Sequence, residues 1–387
     1  MMTSEIQPSL RFDGRAVAVM FLVNGFIIGS WAPHIPGFVN QLGINEFTLG
    51  LLILGYGLSA TCVMTFAGQL ISRKGSGFVL RLFVVPLIFM LPMAILVPEI
   101  WMAAIVLILF GGVIGGMDVA MNANVVAVEK DHGRAMMSTS HGFWSLGGFA
   151  GGSLGGIGIK TFGALEHALL VAVIVGIAVA LVFAHVNEGM APSEKTERRR
   201  HAWPRQPGIY ILAAMALVCM CAEGAVLNWS ALYLGNELLA DTATVGFAFA
   251  GFSGAMAVTR FLGDKIRDRF GAVTIFRFSC LLAATGMFIA GISTWPAMAI
   301  SAFVLAGIGA ANLVPILFSA AGRQPGEGTG VNMSVVTTIG HMGVLLAPSV
   351  IGFVAARVGL APIYIAIALM LVAISVLSAR TAYADAR

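Results

Sequence analysis

Of the chain's 18 acidic residues, only Asp118 and Glu223 fall well inside long apolar runs. A charged carboxylate in hydrocarbon costs at least about 2.5 kcal/mol, so each must face a cavity, a partner or a proton. Burial in general favours a protonated acid, which can bring proton binding and release into the physiological range. Asn122 lies four residues beyond Asp118 and shares its helix face. Asn24, Asn228 and Asn312 occupy three further apolar runs. An amide offers the donors and acceptors that hydroxyl groups need, although it can equally knit helices together. His141 and His341 can relay protons near neutral pH or serve as hydrogen-bonded core. Trp144 is three residues past His141 on the same helix side, where its face can stack on a sugar ring. His34, between Pro33 and Pro36, reads as structural or as a gate element.

The elements holding these residues are membrane helices. The chain is 58% hydrophobic and 10% charged, with a mean hydropathy of +0.93, whereas soluble domains carry about 25% charged residues. Runs of spanning length predict helices at 14–38, 47–71, 78–97, 101–128, 136–159, 164–185, 208–234, 243–263, 272–293, 296–320, 330–355 and 360–379. Their even number puts both termini on one side. All but Lys160 and Arg357 of the 22 basic residues fall on that side, which the positive-inside rule makes the cytoplasm. The sequence pI near 9.0 follows from this bias, without nucleic acid. The polar N-terminus enters the first helix without a small-residue cleavage site, so no signal peptide is expected. Trp101 and Trp295 fall at outer helix ends as belt anchors, while Trp31 and Trp229 suit either belt or cavity. Cys62, Cys219, Cys221 and Cys280 lack metal or redox spacing and read as packing residues. No nucleophile–base pair appears, so an enzyme is not expected.

The chain divides and repeats. A polar stretch, Asn187 to Gly208, separates six helices from six. The expected domains are therefore an N-terminal bundle (1–186), a cytoplasmic linker (187–207) and a C-terminal bundle (208–387). Ser72-Arg73-Lys74-Gly75 returns as Asp268-Arg269-Phe270-Gly271, Met137-Ser138 as Met333-Ser334, and Gly147 as Gly343, each 196 residues on. Two parallel six-helix halves are a transporter architecture, with the solute site expected between them near the midplane.

These motifs resemble the major facilitator superfamily along the full length of the chain. Gly68 to Gly75 is similar to its cytoplasmic signature, G-x-L-a-D-R-x-G, except that Ser72 stands where the family has Asp. The second copy, Arg260 to Gly271, keeps the acids. The resemblance implies an all-α, twelve-helix fold of two pseudo-symmetric bundles. It also implies a cytoplasmic gate formed by Arg73, Gly75, Arg260, Asp264, Asp268 and Arg269. Gly112 to Asn122, with Gly340-His341-Met342-Gly343 to Ala347-Pro348, looks most like the fucose-permease-like branch. That implies proton-coupled movement of a monosaccharide, polyol or similar solute, with Asp118 at the proton-coupling position. The branch's second acid, on the first helix, is here Asn24, so the further coupling role passes to Glu223 or is lost. Asn24, Asn122, His141, Trp144, Asn228, Asn312 and His341 are the expected solute contacts.

The run Gly147 to Gly156 is no phosphate loop; its small residues four apart let helix backbones approach. It is also similar to the family's antiporter signature, with Gly152 in place of the proline. Three readings follow: a proton symporter, an antiporter exporting sugars or amphipathic compounds, and a transporter-like sensor that no longer transports. The expected partners are a small-molecule substrate, the proton and the lipid bilayer. The expected setting is a monomer in the inner membrane, without cofactor, metal or nucleic acid.

Overall fold

A computed structural model describes residues 8–132, 136–189, 206–324 and 329–385, and every regular element among them is helical. In chain order these are α1 (Pro8–Trp31), α2 (Ile35–Leu42), α3 (Glu46–Lys74), α4 (Ser76–Ile95), α5 (Ile100–His132), α6 (Met137–Phe162) and α7 (Ala164–Val182). They continue as α8 (Pro207–Leu232), α9 (Thr242–Phe270), α10 (Ala272–Gly291), α11 (Pro296–Ala310), α12 (Leu313–Arg323), α13 (Thr329–Val358) and α14 (Ala361–Val376). Among the described residues, 11 stretches are long and apolar enough to cross a membrane. The remaining one, α6, is long enough at 26 residues, but its glycines and serines dilute its hydropathy.

Two expected helices are discontinuous. The first crossing passes through a 3-10 turn at Ala32–His34 between α1 and α2, where Pro33 and Pro36 remove two backbone donors. The tenth breaks between α11 and α12. Pro315, inside α12, has no N–H to return to the Ala311 carbonyl four residues back, so the helical ladder is interrupted there.

The chain falls into two compact units, Met1–Leu42 with Gly55–Lys195, and Gly43–Leu54 with Thr196–Arg387. Of the expected linker, residues 190–205 lie outside the described residues. In the first unit α1 and α6 pack at backbone distance: a methyl added at Gly25 would collide with the Trp144 carbonyl, and one at Gly147 with the Leu22 carbonyl. The glycine run is thus accounted for by close helix approach.

The start of α4 is clasped by the segment after α7. Gly75 has φ +85°, and Ser76 and Gly77 donate their backbone N–H groups to Gly189 and Glu188 at 3.1 Å each. Arg81 donates to the Phe183 carbonyl (3.1 Å), the Val186 carbonyl (2.8 Å) and the Glu188 carboxylate (2.6 Å). Buried Asn124 donates to the Asn187 carbonyl at 2.7 Å. Asn187 to Gly189, expected in the linker, are therefore secured to the first unit.

The second unit repeats this plan. A methyl on Gly343 of α13 would lie 2.5 Å from the Leu217 carbonyl of α8. Arg277, 196 residues after Arg81, donates to Ser378 Oγ at 3.0 Å, and Asp385 accepts from the Ala272 N–H at 2.6 Å, capping α10. Gly43–Leu54 joins this unit through contacts such as Gly50, where a methyl would meet the Pro348 carbonyl at 2.7 Å. Trp101 and Trp295 are exposed, as belt anchors must be, whereas Trp229 is fully buried and is therefore core.

Candidate functional site

Among the described residues, two polar clusters, one in each unit, gather most of the side chains singled out by the sequence. In the first, α5 carries Asp118 and Asn122 one turn apart. Asn122 Nδ2 donates to the Asp118 carboxylate Oδ1 at 3.3 Å and to the Asp118 backbone carbonyl at 2.8 Å. Its Oδ1 must then accept, and it faces His141 Nε2 of α6 at 3.1 Å. Complementarity therefore puts a hydrogen on His141 Nε2. Phe21 of α1 packs edge-on against the imidazole at 5.1 Å between centroids. Asp118, Asn122 and His141 are all half-buried, so the chain of groups is enclosed without being sealed. The amide links the acid to the imidazole by hydrogen bonds, fixing the orientation of both ends.

One turn past His141, Trp144 Nε1 donates to Asn24 Oδ1 at 2.9 Å. Asn24 is buried, and among the described residues its Nδ2 has no partner. Its amide therefore orients the indole from behind. Trp144, half-buried, keeps part of its surface open.

The second cluster forms where α8, α9 and the α11–α12 break converge. Arg260 Nε donates at 3.3 Å to the Ala311 carbonyl, the acceptor that Pro315 leaves without a helical donor. A terminal nitrogen of the same guanidinium, Nη2, lies 3.8 Å from Glu223 Oε1. Asn312 occupies the N-cap of α12 without a side-chain capping bond. Asn228 turns back on its own helix, donating to the Gly224 carbonyl at 2.9 Å. His341 likewise donates from Nδ1 to the Thr337 carbonyl at 2.8 Å, and its side chain is exposed. Neither is drawn into the Glu223–Arg260 pair.

The sequence matches the Major Facilitator Superfamily over residues 17–233 and 211–386. The chain belongs to that superfamily. It is 34% identical over 356 residues to an uncharacterized MFS-type transporter of Yersinia pestis, covering 92% of each chain. Among solved structures, it is similar to a D-xylose–proton symporter (TM-score 0.75, 13% identity, 95% of this chain and 97% of that one). It is also similar to the E. coli fucose–proton symporter (TM-score 0.63, 15% identity, 96% and 99%). At these identities the solved structures establish a shared fold. Superfamily membership makes the chain a multi-pass membrane transporter and not an enzyme.

The superfamily's signature loops are only partly visible. Arg73 is exposed at the end of α3, followed by Gly75 in its left-handed conformation. Arg269 lies over the Phe270 ring, 5.3 Å from its centroid. Asp264 and Asp268 belong to α9, but their side chains lie outside the described residues. Arg260, expected at the gate, reaches Glu223 and the helix break. Sequence reasoning missed that role, although Pro315 was the signal: a proline four residues after a carbonyl in a membrane helix creates an acceptor that needs a donor. His167 was missed as well. It pairs with buried His34, Nδ1 to Nε2 at 3.0 Å, in a pocket made by glycines including Gly158. That pairing makes His34 a packing residue.

Proposed function

We propose that this superfamily member imports a small hydroxylated solute, a monosaccharide or polyol, by proton symport and alternating access. In this reading it is an inner-membrane monomer with both termini in the cytoplasm. Asp118 carries the coupled proton, and the hydrogen-bonded chain Asp118–Asn122–His141 is the observation on which this rests. A carboxylate, an amide and an imidazole in series can bind a proton in one state of the carrier and release it in another. Glu223 faces a fixed cation instead, so its charge is balanced within the protein and coupling is assigned to Asp118. Trp144, held by Asn24, supplies a ring for stacking on the solute, and the loops bearing Arg73, Gly75 and Arg269 gate the cytoplasmic side. Two of the folds it resembles belong to sugar–proton symporters, which supports this class of cargo.

Reconstitution into liposomes with a pH-sensitive dye tests the reading. Adding L-fucose, D-xylose or myo-inositol outside is expected to alkalinise the medium in the wild type and not in Asp118→Asn. Solute entry without proton movement in the wild type contradicts it.

A further inference from the structure

The Glu223–Arg260 pair has the form of an ion pair without its bonds. At 3.8 Å the two charged groups stand beyond hydrogen-bond distance. Among the described residues, neither the Glu223 carboxylate nor the terminal nitrogens of Arg260 make a hydrogen bond. Both side chains keep access to their surroundings, 21% exposed for Glu223 and 25% for Arg260. A free pair of flexible side chains would close such a gap. Arg260 does not, because its Nε is engaged by the Ala311 carbonyl at 3.3 Å. The helix break thus holds the guanidinium fork in place, much as a supporting shell preorganises a binding group.

We infer that Glu223 and Arg260 form a recognition site for an uncharged hydroxyl of the transported solute. The hydroxyl oxygen accepts from an Arg260 terminal N–H while its hydrogen is donated to the Glu223 carboxylate. An oxygen about 2.8 Å from each partner sits beside the 3.8 Å gap and touches both groups, with a slight widening of the pair bringing its angle towards tetrahedral. A hydroxyl matches this pair because it is donor and acceptor at once. An anionic solute would bring a second carboxylate against one guanidinium, and a cationic one would oppose Arg260. The inference rests on the reading of the chain as a carrier of hydroxylated solutes, and it moves Glu223 from proton coupling, and Arg260 from gating, to specificity.

Binding to purified protein, followed by thermal shift and isothermal titration without any proton gradient, tests this separately from symport. The probes are L-fucose, D-xylose and myo-inositol as neutral polyols and D-gluconate as the anionic counterpart, with Glu223→Gln and Arg260→Lys as variants. Lysine keeps the charge but loses the forked donor geometry. The wild type is expected to bind at least one neutral probe more tightly than gluconate. Each variant is expected to weaken that binding by about tenfold or more while its ligand-free melting point stays close to wild type. A purely structural pair gives the reverse, lower melting points with unchanged affinity, and overturns the inference. So does preference for gluconate, wild-type affinity in Arg260→Lys, or binding of no neutral probe. Neutral-polyol binding that survives while proton movement is absent removes the symport reading and leaves this one standing.

Discussion

Arg81 and Arg277 hold equivalent places in the two units, and so do Gly147 and Gly343, yet the polar clusters those scaffolds carry have little in common. In the first unit Arg81 fastens the segment after α7 to α4; in the second Arg277 fastens the segment after α14 to α10. Gly147 brings α6 onto the α1 backbone, and Gly343 brings α13 onto α8. Where the first unit places Asp118, Asn122 and His141 in series, the second opposes Glu223 to an arginine fixed at a helix break. Packing constraints on close-approaching backbones admit few alternatives, so the scaffold repeats. The polar residues are free to diverge, and on the proposed reading the coupled proton is carried in the first unit while the second contributes a hydroxyl-recognition pair.

The sharpest way to break this comparison is to exchange the acids' charges. Asp118→Asn is expected to abolish solute-driven proton uptake completely, whereas Glu223→Gln is expected to keep proton uptake coupled to whatever solute still enters. Dye-based proton flux in liposomes reads both. In wild type, uptake is expected to rise with an inward proton gradient; in Asp118→Asn it is expected to be insensitive to that gradient.

Next in size is the shared scaffold. Gly147→Leu and Gly343→Leu each force a side chain into a neighbouring backbone and are expected to cost more than about 3 kcal/mol, seen as loss of folded protein in detergent. Tolerance of one but not the other would show that the repeat is less symmetric than its spacing. The clasps should give a smaller, graded effect. Arg81→Ala removes three hydrogen bonds, one of them charged on both sides, and is expected to cost about 1–3 kcal/mol. Arg277→Ala removes the bond to Ser378 Oγ and is expected to cost about 0.5–1.5 kcal/mol, so its melting point should fall less. Smallest of all, Trp144→Phe keeps a ring but drops the bond to Asn24. A rise of about threefold in KM with little change in maximal rate is expected from radiolabelled uptake.

Much of this was legible in the sequence. Apolar runs of spanning length and the repeat at 196 residues sufficed for the architecture, because lipid leaves the backbone no alternative to helices. Asp118 with Asn122 was visible as one helix face, since i and i+4 positions must neighbour one another. The partnership with His141 was not, because it depends on how α5 and α6 pack. The contacts of Arg260 were not legible for a similar reason: it belongs to the signature by spacing, but its long side chain reaches the carbonyl that Pro315 sets free. His34 and His167, 133 residues apart, could be paired only once the first and sixth crossings were in place. Side-chain reach and interhelical contact are tertiary facts, and periodicity does not encode them.

The central claim is that Asp118 carries the proton and Glu223 recognises the solute. The most direct test is to measure, in matched liposomes, solute counterflow and proton-driven accumulation for both variants, using a neutral polyol that the wild type transports. Asp118→Asn is expected to retain counterflow and lose accumulation, while Glu223→Gln is expected to lose affinity in counterflow but still accumulate solute at saturating concentration. Accumulation that persists in Asp118→Asn and vanishes in Glu223→Gln would reverse the assignment and contradict the account.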